Sequence, residues 1–224
     1  MTFSKSTALE LCQLNLAAYS FANTGHCQLP DGFTGPVAIR MPAENRPLLL
    51  RRDPLDIWGY TTTRAGQSYI VFRGTQITSG IDFAQEWAED ALSLPLALFG
   101  NGHVHLGFYS AYQCLRGAIP NMPAPRIITG HSLGAALATL CWADLGGDLM
   151  TFASPRVGDP DFAKRLWDGG TVRVFNVPDA VPAVPTDPPF RHGGTPAQLN
   201  GPGGPLDLTL AHSLNSYATA LEAL

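Results

Sequence analysis

Apolar residues recur along the chain with two different periods. Thr7 to Phe21 carries them at helical spacing with few helix breakers, which predicts an amphipathic first helix. Short β-type runs follow at Val37 to Arg40, Ile57 to Thr63 and Gln67 to Arg73. The last of these runs is nearly all apolar, as expected of a central strand that is covered on both faces.

The later part of the chain alternates between predicted helices and predicted strands. Helices are predicted at Ile81 to Leu92, Gly107 to Ala118, Leu133 to Leu145 and Pro160 to Trp167, and strands at Arg126 to Thr129, Asp148 to Ala153 and Thr171 to Val177. Pro182 to Pro205 is rich in Pro and Gly and is predicted to be an ordered surface loop, followed by a final helix over His212 to Leu221. The alternation indicates an α/β fold with a mostly parallel central sheet and helices on both faces.

Length and composition favour one compact domain. The chain has 224 residues, of which 45% are apolar, so we expect residues 1–224 to form a single domain with one substantial core. The formal net charge is −4, and the 14 Lys and Arg residues are scattered rather than clustered. Nucleic acid is therefore not expected as a partner.

The sequence predicts neither a membrane span nor a signal peptide. No uninterrupted apolar run reaches the length of about 18 residues that a transmembrane helix needs. The apolar stretch near the N-terminus is broken by Glu10, Gln13 and Asn15. As the sequence stands we expect a cytoplasmic protein, or a secreted one if this is a processed form.

The cysteines show none of the close spacings that metal sites or redox motifs use. They stand at Cys12, Cys27, Cys114 and Cys141. Buried thiols are the expectation, and a Cys12 to Cys27 disulfide is an alternative only in an oxidising compartment. We predict no metal site and no cofactor.

A short motif suggests nucleophilic catalysis. Gly130 to Gly134 reads Gly-His-Ser-Leu-Gly and lies between a predicted strand and a predicted helix, the context in which G-x-S-x-G holds a nucleophilic serine on a sharp turn. Glycine two residues to either side lets the strand and the helix pass closely. Ser132 is therefore the predicted nucleophile.

A serine hydroxyl needs a general base to take its proton and an acid to orient that base. Only His192 and His212 follow Ser132, and the order Ser, acid, His is typical of this turn. His192 lies in the Pro/Gly-rich loop and is interpreted as an exposed loop histidine. His212 is therefore the predicted base.

Asp179 is the predicted acid. It comes just past a predicted strand, at the carboxyl end where open α/β sheets bind their ligands. The competing acids are Asp159, Asp161, Asp168, Asp187 and Asp207. Of these, Asp159 and Asp161 are expected to cap a helix, and Asp207 is close to His212 in sequence.

An attacked ester develops a negative oxygen, which needs hydrogen-bond donors already in place. The amide of Leu133, directly after the nucleophile, is one predicted donor. The turn after Val71-Phe72-Arg73 supplies the other, because Gly74 permits a bend and Thr75 offers both an amide and a hydroxyl.

Taken together, these segments resemble the class 3 (fungal-type) lipases of the α/β-hydrolase superfamily. The matching segments, in order, are Val71 to Thr75, Val104 to Tyr109, Gly130 to Gly134, Thr151 to Gly158 and Arg173 to Pro182. The resemblance covers roughly Pro47 to the C-terminus. It implies an α/β-hydrolase fold and hydrolysis of lipid or other carboxylic esters without a cofactor.

Position by position, the resemblance implies Ser132 as nucleophile, Asp179 as acid, His212 as base, and Thr75 with Leu133 as oxyanion donors. It also implies a lid over Gln76 to Asp90 and transient contact with a lipid–water interface, although the acidic face of that stretch is atypical of an interfacial helix. The other residues of interest in the matching segments, namely His105, His131 and Arg156, are interpreted as scaffold residues. Alternative functions on the same triad are a thioesterase or a feruloyl-type esterase, and a third alternative is a non-catalytic lipid-binding protein.

Overall fold

The computed structural model describes residues 1–42, 55–75, 96–204 and 207–224. Its helices are α1 (Lys5–Thr24), α2 (Leu106–Arg116), α3 (Leu133–Leu145), α4 (Pro160–Asp168), α5 (Leu208–His212) and α6 (Leu214–Glu222), with a short 3₁₀ turn at Val181–Ala183. Its strands are β1 (Thr34–Arg40), β2 (Ile57–Arg64), β3 (Gln67–Phe72), β4 (Leu96–Phe99), β5 (Gly102–His105), β6 (Arg126–His131), β7 (Asp148–Phe152), β8 (Val172–Asn176) and β9 (Thr195–Leu199).

Within these described residues, seven strands form one sheet in the order β1-β2-β3-β6-β7-β8-β9. The pairs β1–β2 and β2–β3 are antiparallel, whereas every pair from β3 to β9 is parallel. The prediction of a mostly parallel α/β sheet is thus confirmed. Because β6 and β8 are parallel, their carboxyl ends lie at the same edge of the sheet, and the residues that follow them meet there.

Each face of the sheet carries its own buried apolar cluster. One cluster joins α1 and α6 to the sheet, with Leu11, Val174 and Tyr217 among its fully buried members. The other joins α2, α3 and α4 to the opposite face, with Phe108 and Leu137 at its centre. Helices therefore cover both faces, as the alternating pattern predicted.

Helix α1 is longer than the apolar stripe predicted. The Ser4 side chain accepts a hydrogen bond from the Thr7 amide and begins the helix, and Gly25 ends it with φ 73°. Two buried polar groups attach α1 to the sheet. Asn15 Nδ2 donates to Thr129 Oγ1 at 2.9 Å, and the Tyr60 hydroxyl donates to the Leu14 carbonyl at 2.9 Å.

The segment predicted as one loop, Pro182 to Pro205, contains a strand, so that prediction is wrong in part. Strand β9 pairs in parallel with β8 at the edge of the sheet, and Pro196 lies opposite Arg173. A proline is tolerated there because an edge strand has one side without a partner strand. Its Pro and Gly content concealed the strand from pattern analysis.

The prediction of the final helix is also wrong about the residue at which the helix begins. His212 is the last residue of α5, and Ser213 interrupts the helical run at φ −68°, ψ 141° before capping α6. The break leaves His212 at a corner between two helices, from which its side chain turns inward to 4% exposure. A corner of this kind orients one side chain without requiring a long loop.

The predictions about the lid and about the cysteines have different outcomes. The helix Ile81 to Leu92 and the lid stretch Gln76 to Asp90 lie outside the described residues. All four cysteines are free thiols, of which Cys12 and Cys141 are buried and the other two half-buried, so the alternative disulfide is not formed. In the described ranges no helix has the length and apolar character needed to cross a membrane.

Candidate active site

Ser132 occupies the sharp turn between β6 and α3. Its backbone lies at φ 59°, ψ −129°, in a region that residues other than glycine rarely adopt. A Cβ atom on Gly130 would lie 2.1 Å from the Gly134 carbonyl oxygen, and one on Gly134 would lie 2.4 Å from the Phe72 carbonyl oxygen. Both glycines of the motif are therefore required by close backbone approach, as the sequence indicated.

The turn presents the Ser132 hydroxyl at the carboxyl edge of the sheet. The Ser132 amide donates to the Phe152 carbonyl at 3.0 Å, which fixes the turn to β7. The residue is 8% exposed, and its hydroxyl has no hydrogen-bond partner within the described part of the chain. This hydroxyl is held by the backbone and not by its own contacts, so it remains available to a ligand.

Asp179 and His212 form a buried hydrogen-bonded pair. His212 Nδ1 lies 3.0 Å from Asp179 Oδ1 and 2.9 Å from Oδ2, and the two side chains are 5% and 1% exposed respectively. An ionised carboxylate only accepts hydrogen bonds, so Nδ1 carries the proton. Nε2 is then the nitrogen with a free lone pair, which is the arrangement a general base requires.

The Asp179 carboxylate is oriented by two further donors. The Tyr217 hydroxyl donates to Oδ2 at 2.7 Å, and the Val181 amide donates to Oδ1 at 3.0 Å. The Tyr217 oxygen in turn accepts from the Asn176 amide at 3.1 Å. Burial and the neighbouring carboxylate raise the pKa of Tyr217 well above its ordinary value, so this hydroxyl stays protonated and keeps donating.

The competing acids are engaged elsewhere. Asp159 caps α4 by accepting from the Phe162 amide at 2.9 Å, as predicted, and Asp207 caps α5. Asp168 pairs with Lys164 and Asp187 with Arg191, both on the surface. Asp161 lies in the first turn of α4. Asp179 is therefore the one predicted acid that contacts a histidine predicted as base.

Arg73 anchors the turn that leads to Thr75. The Arg73 side chain is 1% exposed, and it donates from Nε to the Ile57 carbonyl at 2.7 Å and from NH1 to the Gly74 carbonyl at 2.6 Å. The guanidinium lies 4.2 Å from the Trp58 ring centroid. Burial lowers the pKa of Arg73 to about 10, which still leaves it charged near neutral pH. Residues before Thr75 are therefore rigidly held.

Thr75 presents a buried hydroxyl that has no hydrogen-bond partner among the described residues. Its Oγ1 is inaccessible to solvent and makes no hydrogen bond to a described residue. The turn lies against Ser132, since a Cβ atom built on Gly74 would lie 2.8 Å from Ser132 Cβ. Leu133 is the first residue of α3, and the first amides of a helix lack carbonyl partners inside it. Both predicted oxyanion donors thus lie next to Ser132.

His192 and His105 make structural contacts. His192 was predicted to be an exposed loop residue, and that prediction is wrong: it is half-buried and donates from Nε2 to the Pro182 carbonyl at 2.6 Å. Burial and the nearby charge of Arg173 lower the pKa of His192 to about 3. His105 accepts from the Phe108 amide at the start of α2, which agrees with its interpretation as a scaffold residue.

Arg156 and His131 also make scaffold contacts. Arg156 donates to the Ala183 and Pro185 carbonyls, and so holds the loop that follows Asp179. The ring of His131 lies 4.7 Å from that of His212 and is 4% exposed. Burial is the main reason that the pKa of His131 falls well below its ordinary value.

An open cavity with a volume of about 230 Å³ lies beside Thr75, His131 and His212. Its lining includes Leu16, Tyr19, Thr75, His131, Thr209, His212 and Leu214. Its lining combines apolar groups with a few polar ones, as is usual for small-molecule sites. Among the described residues no group of three or more His, Cys, Asp or Glu side chains is arranged to hold a metal ion.

The Ser132 hydroxyl and the His212 imidazole do not form a hydrogen bond with each other in the described part of the chain. The ring of His212 nevertheless packs against His131, the residue adjacent to Ser132. In enzymes without bound substrate this contact is commonly long and shortens when substrate binds. The structure thus brings five predicted residues to one edge of the sheet, with the acid and base already in contact.

Sequence reasoning missed Tyr217 and Tyr19, which contact this site through their hydroxyls. Both were hidden among apolar residues at helical spacing. The available signal was the choice of tyrosine within a buried stripe, since a buried hydroxyl needs a partner.

Comparison with known proteins gives a consistent family assignment. A family model described as Lipase (class 3) matches residues 69–188. The secreted mono- and diacylglycerol lipase A of Penicillium camembertii is 36% identical over 36% of this chain and 32% of its own length. The lipase of Rhizomucor miehei is 33% identical over 52% of this chain and 37% of its own length. The chain therefore spans about a third of the curated relatives it matches.

Solved structures show the same fold over most of the chain. A triacylglycerol lipase described as having a serine protease triad at its catalytic centre superposes with a TM-score of 0.67 at 23% identity, covering 89% of this chain and 82% of that one. The mono- and diacylglycerol lipase of Aspergillus oryzae gives a TM-score of 0.66 at 19% identity, with coverage of 90% and 82%. At such identities the likeness establishes the α/β-hydrolase fold.

Proposed function

The chain belongs to the class 3 lipase family, and from this premise we propose that it is a serine-dependent carboxylic ester hydrolase that acts on acylglycerols or other lipid esters. The observation that carries the proposal is the strained Ser132 turn beside the buried Asp179–His212 pair. Strain of this kind persists where the surrounding fold imposes it, and it is common at active sites. The activities by which the relatives are named, mono- and diacylglycerol lipase and lipase, belong to the same reaction class.

The proposed reaction has two halves. In the first, Ser132 Oγ attacks the ester carbonyl carbon while its proton passes to His212 Nε2. The carbon–oxygen bond to the alcohol then breaks, and the imidazolium returns the proton to the departing alkoxide. In the second half, the oxygen of a water molecule attacks the acyl carbon while its proton passes to the same nitrogen. The bond between the acyl carbon and Ser132 Oγ then breaks, the imidazolium returns the proton to Ser132 Oγ, and the carboxylic acid is released. The negative charge of Asp179 stabilises the imidazolium that forms in each half.

The tetrahedral intermediate carries a negative oxygen that needs donors fixed in advance. We assign the Leu133 amide and the amide and hydroxyl of Thr75 to this task. The hydroxyl is suited to it because Oγ1 is buried and has no hydrogen-bond partner in the described part of the chain. An oxyanion would accept this hydrogen bond only during the reaction, so the interaction favours the transition state over the ground state.

Exposed apolar side chains near the site support lipid esters as substrates. Val177 and Leu210 are 55% and 43% exposed, and they stand two residues before Asp179 and His212 respectively. Apolar groups beside a cavity mouth favour contact with acyl chains or with a lipid surface. We propose transient contact with a lipid–water interface on this ground.

Hydrolysis of p-nitrophenyl esters with short and long acyl chains, in solution and in emulsion, measures the proposed activity. We expect turnover by the wild type and none above background by Ser132→Ala, with unchanged circular dichroism. An organophosphonate should label the wild type at Ser132, as read by peptide mass spectrometry. Absence of both turnover and labelling would instead support a non-catalytic lipid-binding protein. Preference for thioesters or feruloyl esters over acylglycerols would overturn the substrate class and leave the triad intact.

A further inference from the structure

Tyr19 links helix α1 to the candidate active site through one hydroxyl group. The Gly74 amide donates to the Tyr19 oxygen at 3.0 Å, and the same oxygen lies 2.8 Å from His131 Nδ1. On its other side, His131 Nε2 lies 2.9 Å from the His212 carbonyl oxygen. Three hydrogen bonds therefore run from the turn before Thr75 to the backbone of the proposed base.

The direction of each hydrogen bond follows from its partners. A carbonyl oxygen only accepts, so His131 Nε2 carries a proton and donates to His212. His131 is buried and neutral, which leaves a lone pair on Nδ1 and makes the Tyr19 hydroxyl the donor to it. The Tyr19 oxygen then accepts from the Gly74 amide. Each polar atom in this chain of contacts can act either as donor or as acceptor but not as both toward its neighbour. No other assignment of donors and acceptors would satisfy all three hydrogen bonds.

This network touches the three segments that the proposed reaction brings together. Gly74 precedes the oxyanion donor Thr75, His131 precedes the nucleophile Ser132, and the last acceptor belongs to the base His212 itself. Aromatic contacts reinforce the position of His131, whose ring lies 5.8 Å from that of Tyr19 and 4.7 Å from that of His212. Displacement of one segment would therefore be transmitted to the other two.

We infer that Tyr19 and His131 are positioning residues, which hold the oxyanion turn and the His212 backbone in register with Ser132. Neither residue takes part in bond making. They act by fixing distances, and misplacement of reacting groups by about 1 Å can lower a rate about 100-fold. The inference rests on the proposed ester hydrolase function and adds to it a role for helix α1, which lies outside the segment matched by the family model.

The decisive variant is Tyr19→Phe, which removes the shared hydroxyl and both of its hydrogen bonds. Its matched control is Tyr60→Phe, because the Tyr60 hydroxyl is also buried between α1 and the sheet but donates to the Leu14 carbonyl, away from the site. We expect both variants to lose similar thermal stability. Only Tyr19→Phe should lower kcat, by about 10- to 100-fold, with KM within about twofold of wild type.

Hydrogen exchange supplies a readout that does not depend on turnover. The Gly74 amide donates a hydrogen bond to Tyr19 in the wild type, so Tyr19→Phe should accelerate the exchange of this amide and Tyr60→Phe should not. A second pair of variants covers the case in which Tyr19→Phe is too unstable to assay. His131→Gln keeps an amide donor toward the His212 carbonyl and should retain more kcat than His131→Leu, which offers neither donor nor acceptor.

The outcomes separate the inference from the function on which it rests. Absence of Ser132-dependent turnover in the wild type would remove the proposed function. Wild-type turnover together with an unchanged kcat in Tyr19→Phe, or equal kcat in the two His131 variants, would overturn the positioning role alone. A fall in kcat that is equally large in Tyr19→Phe and Tyr60→Phe would also overturn it, because the fall would then follow from the loss of stability that the two variants share.

Discussion

Asp179 Oδ2 lies 2.9 Å from His212 Nδ1, although 33 residues separate the two in the chain. The contact exists because β8 ends just before Asp179 while the break at Ser213 turns His212 inward. The carboxylate has further donors in Tyr217 and Val181, so its orientation does not depend on the histidine. A fixed acceptor of this kind determines which imidazole nitrogen carries the proton.

Asp179→Asn should therefore abolish most activity while the fold remains. The asparagine amide can donate toward Nδ1, which moves the imidazole proton to Nε2 and removes the lone pair that accepts the Ser132 proton. We expect kcat to fall by about four orders of magnitude, as in other serine triads. The control is Asp187→Asn, in the same loop but 38% exposed and paired with Arg191 at the surface. Steady-state ester hydrolysis measures both variants, and retention of wild-type kcat by Asp179→Asn would exclude Asp179 as the acid.

Thr75→Val should lower activity without lowering stability. The hydroxyl is buried and no described residue forms a hydrogen bond with it, so its replacement by a methyl group should leave the free energy of unfolding unchanged or raise it. Loss of one oxyanion donor typically lowers kcat by about 100- to 1,000-fold. Thr75→Ser keeps the hydroxyl and should retain most activity. Equal kcat in the Val and Ser variants would show that the amide alone serves the oxyanion.

Gly130→Ala should destabilise the protein because no space exists for its Cβ atom. That atom would lie 2.1 Å from the Gly134 carbonyl oxygen, and separating the strand from the helix is the only relief. We expect a loss of about 1–3 kcal/mol or more in the free energy of unfolding. Gly117→Ala is the control, since a Cβ atom there meets nothing within 4 Å and its φ is −69°. Thermal and urea unfolding compare the two, and equal Tm values would contradict the packing argument.

The burial of His192 predicts that the protein loses stability at acid pH. Its ordinary pKa of 6.5 falls to about 3 in the folded protein, so below pH 6.5 the unfolded chain binds a proton that the folded one does not. Stability is thus complete above about pH 6.5 and declines as the pH falls toward 3, by at most about 1.4 kcal/mol per pH unit for this residue. Buried His131 contributes in the same direction.

In His192→Gln the amide can still donate to the Pro182 carbonyl, but it has no proton to bind over this pH range. Urea unfolding at several pH values between 7 and 4 measures the free energy of unfolding. This free energy should fall less steeply with decreasing pH in His192→Gln than in the wild type, and the difference in slope should correspond to at most one bound proton. The exposed His26→Gln serves as the control. An identical pH dependence in the wild type and His192→Gln would show that His192 is not buried in its neutral form.

The sequence predicts most of the described elements because their patterns are local. Helix α3 begins and ends where predicted, at Leu133 and Leu145, since a run of small and apolar residues between a glycine-rich turn and Gly146 has few alternatives. Strands β3 and β7 are likewise indicated by their apolar content. Locally determined elements of this kind also position Ser132 and Asp179 correctly with respect to the sheet edge.

The parts that pattern analysis missed depend on long-range contacts. Strand β9 exists because β8 offers a partner edge, which no feature of Thr195 to Leu199 reveals. The break at Ser213 depends on the capping of α6 by that residue's own side chain. The role of Tyr19 requires knowledge of what lies opposite α1, since along its helix it reads as one more apolar position.

Helix α1 has a practical consequence for the choice of expression boundaries. A fragment cut to the family match, residues 69–188, would keep Ser132 and Asp179 but lose His212 with the C-terminal helices. Trimming only the first 24 residues would preserve all three side chains of the proposed triad. It would, however, uncover the sheet face that Leu11 and Leu14 bury and remove the phenol that accepts from the Gly74 amide. Such a shortened protein should be poorly soluble and inactive, even though the three residues proposed to react are intact.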